Sequence, residues 1–344
     1  MIGRRRYRWV HLALTVAVSV VVSRTAGAQR PALLTLSNGG TVEVLGLRRW
    51  TLAMLQDSLA KYAPDDSLQS HACAAVLRYK LGFADAASNE FIFHDGEPSH
   101  VVVSVREPQD SARVRYRVMP LDTVNSRAAW RLVSGAIARR PAAFWPAERE
   151  YLSPRLHVNA SRFQSPADSV AGTAIITYLR TRTAERDRRE ALGVLAHAPN
   201  MFDRATAALI LANFGARDDT WRALAEALRE SDGIVKGVAA DVLQSLSERS
   251  PRPVRWGPTA RGIHAMLDGT SLFELPPLIA VLTRTGAGPA DARPFLRGGG
   301  EMLLAYLGSA NPMLSGTSHR LLVQLRGIDL GTDVGPWRAW IEGL

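Results

Sequence analysis

Residues able to do chemistry gather most densely at His94-Asp95-Gly96-Glu97-Pro98-Ser99-His100, where two imidazoles and two carboxylates fall within seven positions. A divalent metal accepts donors of that kind. Asp-Gly and Glu-Pro are also turn formers, and exposed tips collect polar residues, so a solvated hairpin tip is the stronger reading. The single cysteine, Cys73, lies two residues from His71. Side chains so spaced on a helix face different ways, and the thiol reads as buried and inert. Gly298-Gly299-Gly300, just before a helix from Glu301, could turn backbone N–H groups towards an anion. No Lys-Ser/Thr follows, so it is not a P-loop, and a flexible turn is the default. Asp187, Glu190, Glu226 and Glu230 read as scattered carboxylates on solvated helix faces. Gly-x-Ser-x-Gly, His-Glu-x-x-His, Cys-x-x-Cys and Gly-x-Gly-x-x-Gly are all absent. No residue is therefore assigned a catalytic, cofactor-binding or metal-ligating role, and no cofactor is expected.

The elements that would position a site begin after residue 28. Arg4, Arg5, Arg6 and Arg8 precede an apolar run of fourteen residues from Val10 to Ser23. Ala26-Gly27-Ala28 then supplies a small-x-small cleavage site, so residues 1–28 read as a signal peptide and the protein as exported, periplasmic or secreted. The run is short for a membrane span. The leader carries five Arg and no acid, so the formal charge of +10 becomes +5 without it. Arg outnumbers Lys 39 to 3, which looks like genome composition more than ligand choice. Charge this diffuse on an exported chain argues against nucleic-acid binding. With one cysteine no intrachain disulfide can form, so the fold rests on its apolar core.

Residues 29–120 read as a small α+β domain. A hairpin turns at Asn38-Gly39-Gly40, between Ala32–Leu36 and Thr41–Leu45. Two helices follow, one carrying Leu52, Leu55, Leu59 and Tyr62, the other running from Ser67 towards Leu81. Strands are expected at Glu90–His94, His100–Arg106 and Ala112–Met119. In the last, Val114, Tyr116 and Val118 alternate with Arg113, Arg115 and Arg117. Three segments, Val44-Leu-Gly46-Leu, Leu77-Arg-Tyr-Lys-Leu81-Gly82-Phe83 and Val101-Val-Val-Ser-Val105-Arg-Glu107, carry a weak resemblance to a POTRA module over about 41–108. That resemblance implies partner binding by strand addition at a sheet edge.

Residues 121–166 read as a helical connector, with a helix ending before Pro141 and with Pro141, Pro146, Pro154 and Pro166 punctuating ordered loops. Residues 167–344 read as packed helices. Val235, Val238, Ala239, Val242 and Leu246 fall on one helical face. Trp221, Leu224, Ala225 and Leu228 repeat those offsets. Asp203, Asp218 and Asp232 precede such runs as caps, while Gly215 and Gly233 separate them. Asp232-Gly-Ile-Val235-Lys236-Gly-Val-Ala239-Ala240-Asp-Val-Leu243 resembles the second helix of a HEAT repeat, and the stretches from Arg189 and Asp203 look like weaker copies. The closing run Leu325-Arg-Gly327-Ile-Asp329-Leu-Gly331-Thr-Asp333-Val-Gly-Pro336-Trp337-Arg-Ala-Trp340 resembles the end of such arrays, with Trp337 and Trp340 covering the last helix pair. The resemblance implies a degenerate α-solenoid behind the α+β module.

The expectation is an exported, non-enzymatic interaction or scaffold protein of the cell envelope, binding a protein partner through its helical array. A membrane association is expected only if the leader stays uncleaved. The alternative is an envelope enzyme or metal-binding protein using the tip residues His94, Asp95 and His100.

Overall fold

A computed structural model describes residues 31–36, 39–64, 67–92, 99–120, 130–153 and 163–344. β1 (Ala32–Thr35) and β2 (Thr41–Leu45) form the expected antiparallel hairpin. α1 (Leu52–Tyr62) begins where Thr51 Oγ1 accepts from Met54 N, and α2 is confined to Cys73–Tyr79. The stretch before α2 winds as turns, with Ser70 N donating to Ser67 O and Cys73 N to Ser70 O. β3 (Asp85–Phe91) and β4 (His100–Arg106) complete a sheet of order β1-β2-β4-β3, in which β2 and β4 run parallel. β3 starts five residues before the expected Glu90. Asp85-Ala86-Ala87-Ser88 contains no β-branched or aromatic residue, so propensity hides it; pairing with β4, Ala87 opposite Ser104, places it.

Both faces of this sheet are buried, because successive strand residues point opposite ways. Val42, Val44, Val101, Val103 and Val105 pack with Leu55, Leu59, Cys73 and Leu77 beneath α1 and α2. Leu45, Ala87 and Val102 instead join the core of the helical array. Two-sided burial explains why Val101-Val102-Val103-Ser104-Val105 reads as a continuous apolar run. The array face also carries buried polar groups, each with a specific partner. Glu43 accepts from Ser309 Oγ (2.6 Å) and Ala310 N (2.8 Å). Ser104 Oγ donates to Tyr306 Oη at 3.1 Å. Arg106 donates to Asp268 Oδ1 at 3.2 Å and also to Asp268 O. The N-terminal sheet is thus seated on helices more than 160 residues along the chain.

The helices are α3 (Arg131–Arg139), α4 (Pro141–Leu152), α5 (Pro166–Arg180), α6 (Glu185–His197), α7 (Met201–Leu211), α8 (Asp218–Ala227) and α9 (Gly233–Arg249). They continue as α10 (Ala260–Leu267), α11 (Leu275–Arg284), α12 (Pro289–Leu296), α13 (Glu301–Leu307), α14 (Pro312–Arg326) and α15 (Val334–Glu342). α6, α8, α10 and α12 neighbour one another in that order; α7, α9, α11 and α14 do the same, giving two rows. Short connections force this alternation. Ala205, Ala207 and Ala208 on α7 and Ala239 on α9 are buried, and such small side chains allow close helix approach. Trp337 and Trp340 share a face, their rings 5.8 Å apart, and Trp337 is fully buried at the chain's end. Among the described residues, no single helix is long and apolar enough to cross a membrane.

Several local expectations change. Ala112–Met119 forms no strand. Pro108–Arg113 winds as a 3-10 turn, and the chain beyond it runs extended across the helix ends. Arg117 N donates to Arg229 O (2.7 Å), Arg115 N to Thr270 Oγ1 (2.8 Å). The alternation marks extended backbone, but its partners are helix termini and not another strand, and Val118 is exposed. Pro141 and Pro146 do not punctuate loops. Pro141 opens α4, where its missing N–H costs nothing, and Pro146 lies within the helix. Asn200, not Asp203, caps α7, accepting from Phe202 N and Asp203 N. Asp232 does cap α9, whereas Asp218 turns to Arg252 and Arg255. Gly215 has an ordinary helical φ; it is needed because a Cβ there would lie 2.8 Å from Leu246.

Candidate functional site

Those residues singled out from the sequence that the structure describes do not assemble into a reactive centre. His94 and Asp95 lie outside the described residues. His100, the third member of that tip, sits in β4 with its Nε2 3.2 Å from the fully buried Glu43 carboxylate. Cys73 is buried, its thiol directed at Leu68 O (3.8 Å), and His71 Nδ1 donates to Ser88 O (3.1 Å). Gly298 and Gly300 adopt positive φ as an anion nest requires. The anion there is internal: Asp268 Oδ1 faces Glu301 N at 3.5 Å while also holding Arg106 and Arg113. Two carboxylates read as solvated are buried. Asp187 closes the first turn of α6, and Glu230 forms a two-pronged pair with Arg204 (Nε–Oε2 3.0 Å, Nη2–Oε2 2.8 Å), Arg204 being wholly buried. Among the described residues, no three His, Cys, Asp or Glu side chains come together as a metal would require.

The feature that does assemble is a basic groove on the first helical row. It has a volume of about 430 Å³ and is lined by α10, α12, Arg229 and the extended segment carrying Arg115. α10 contributes Arg261 and His264, with Ala265 on the floor. α12 contributes Arg293, and Arg297 caps its C-terminus one turn on (Arg297 N donates to Arg293 O, 3.1 Å), with Pro294 between them. The glycine run shapes this wall: a Cβ on Gly299 would lie 2.5 Å from the His264 ring. His264 is fixed by donation from Nδ1 to Phe295 O at 2.9 Å, which leaves Nε2 as the free ring nitrogen.

The exposed arginines of this groove are not held in ion pairs among the described residues. Among the described residues, Arg261, Arg293, Arg297 and the guanidinium of Arg115 have no carboxylate partner. Arg229 is committed to the fold, donating to Arg115 O (2.9 and 3.0 Å) and Glu226 Oε2 (2.8 Å). The other oxygen of Glu226 accepts from Thr259 Oγ1 (3.2 Å). A second depression, of about 510 Å³ at the start of α8, holds Arg217, Arg222, Arg252 and Arg255. There Asp218 lies 2.7 Å from Arg252 and 3.3 Å from Arg255, and Asp219 is taken by Arg188. Asp218 balances Arg252 and Arg255, while Arg217 and Arg222 have no carboxylate within ion-pair distance among the described residues; in the α10–α12 groove Arg115, Arg261, Arg293 and Arg297 all lack one among the described residues.

Sequence reasoning missed this groove because its members come from four separate elements. The one local signal is Arg293-x-x-x-Arg297 on a helix short of acids, which places two cations on one face. The overall +10 conveys nothing about it. No known protein family, curated protein or solved structure matches this chain.

Proposed function

We propose that the protein is an exported, non-enzymatic binding protein of the cell envelope that holds an acidic protein partner against the first row of its helical array. The observation that carries this reading is the unneutralised arginine groove between α10 and α12. Like charge gathered on one side of an array attracts a partner of opposite sign and steers its approach. The two stacked rows support the finer HEAT-like reading. The order β2-α1-α2-β3-β4, with β2 and β4 parallel, is compatible with the POTRA-like one. Strand addition at β3 has less support: Asp85–Ser88 is buried, Leu272 N donates to Asp85 Oδ2, and His71 meets Ser88 O. That leaves the arginine face as the better supported contact.

The test is site-specific photo-crosslinking in the native envelope, with the probe at position 297 in the groove and at 255 in the balanced depression. A defined protein captured from 297 and not from 255, with an acidic surface segment at the crosslink, supports the reading. Equal capture from both positions, or none from 297, refutes it.

A further inference from the structure

The groove's geometry names the part of the partner that enters it, an inference that rests on the proposed function above. We infer that the α10–α12 groove is a binding site for an extended acidic peptide with carboxylates at alternating positions, Glu/Asp-x-Glu/Asp. Arg293 in α12 and Arg297, the residue that caps its C-terminus, are four residues apart across one helical turn, hence about 6 Å along the helix axis. Alternate side chains on one face of an extended peptide are about 6.7 Å apart. Two successive carboxylates on one face of the peptide therefore meet two successive guanidinium groups. Arg261 on the α10 wall stands across the groove to meet one of them from the other side. Ala265 and Pro294 offer small apolar surface to the backbone and intervening side chains. Guanidinium forks suit carboxylates because each can be held by two parallel N–H···O bonds.

A compact phosphate would need its cations to converge on one point, with at least some of them buried. Here Arg115, Arg261, Arg293 and Arg297 are all exposed and spread along two helices and the extended segment. That layout fits a distributed string of single charges better than one concentrated dianion.

The experiment uses the full chain and labelled peptides, read by fluorescence anisotropy at low and physiological salt. Glu-Ser-Glu-Ser-Glu is compared with its isomer Glu-Glu-Glu-Ser-Ser, and inorganic pyrophosphate is titrated as competitor. The expected result is tighter binding of the alternating peptide, by threefold or more, and weakening with salt. The double variant Arg293→Glu/Arg297→Glu should lose at least tenfold in affinity while melting as the parent does, since neither arginine holds an ion pair among the described residues. Equal affinity for the two isomers, binding untouched by the double variant, or tight pyrophosphate binding without peptide binding each overturns the inference. The 297 crosslink separates this outcome from failure of the wider reading. A captured protein with no peptide binding discards the alternating-carboxylate site and keeps the partner. Peptide binding with no captured protein discards the partner.

Discussion

Replacing Glu274 by Gln should make the protein more stable than the parent at pH 8 and equal to it near pH 4.5. Glu274 sits in the 3-10 turn before α11, nearly fully buried, where the sheet, the extended segment and the array meet. Lys236 Nζ from α9 lies 3.3 Å from its Oε2. Asp85 of β3 is close enough to repel it, and Tyr116 stacks beneath both Lys236 and Arg78. Burial pushes the Glu274 carboxyl up to about 7, with Lys236 drawing it down only in part. Between the unfolded value of 4.5 and about 7, the native state holds a proton that the unfolded state has released. Stability must therefore fall as pH rises through that window and level off above it. The gap of about 2.5 units is worth at most about 3 kcal/mol. A neutral isostere avoids that cost, so the difference between variant and parent should be near zero at pH 4.5 and rise to roughly 1–3 kcal/mol by pH 8. Urea denaturation of both proteins at half-unit steps measures it, and taking the difference removes other titrating groups, including Glu148, whose burial raises it in the same sense. A flat difference curve, or a variant weaker than the parent at pH 8, would show that Lys236 neutralises the carboxylate fully and that the reasoning is wrong.

Three further predictions concern how the two parts of the chain are held. Glu43→Ala strands the buried Ser309 hydroxyl and the Ala310 N–H; it should cost about 2–4 kcal/mol in denaturant melts and raise hydrogen exchange in β2 before the array loosens. Arg204→Ala leaves Glu230 buried with only the partly exposed Arg117 (3.3 Å) opposite, and a loss of about 3–5 kcal/mol is expected by the same measurement. Arg252→Glu, in the balanced depression, should lower the melting temperature by setting a carboxylate against Asp218, whereas reversal of Arg293 should not.

The helices were legible because their evidence is local. The face formed by Val235, Val238, Ala239, Val242 and Leu246, with Asp232 capping, needs no partner to be recognised, and α9 begins directly after that cap. What was not legible depends on distance along the chain. Glu230 looked solvated because Arg204, which buries it, is twenty-six residues away on another helix. Val114, Tyr116 and Val118 alternated as a strand would, but alternation reports extended backbone, and nothing local says whether the next neighbour is a strand or a row of helix ends. Glu43 and Arg106 find the other half of their contacts in Ser309 and Asp268, more than 160 residues along the chain. The groove is the same case. Arg115, Arg261 and Arg297 are unremarkable singly in a chain with 39 arginines.

That abundance is why pairing, and not composition, decides which arginines matter. An arginine-rich chain places guanidinium groups everywhere, and a fold can accept them in two ways. It can balance them, as Asp218 balances Arg252 and Arg255, or it can leave them facing water. Two guanidinium groups about 6 Å apart in water repel by only roughly 0.7 kcal/mol, so leaving a few unpaired is a small loss and stability alone does not forbid it. The same weakness gives the groove its use. Arginines that hold nothing in place release no internal contact when a ligand arrives, so their full attraction is available to it. In the balanced depression an incoming carboxylate would first have to displace Asp218, a contact the fold already holds at 2.7 Å. At Asp218 an acidic segment has to break a contact the fold holds, whereas at the exposed arginines of the α10–α12 groove it breaks none among the described residues.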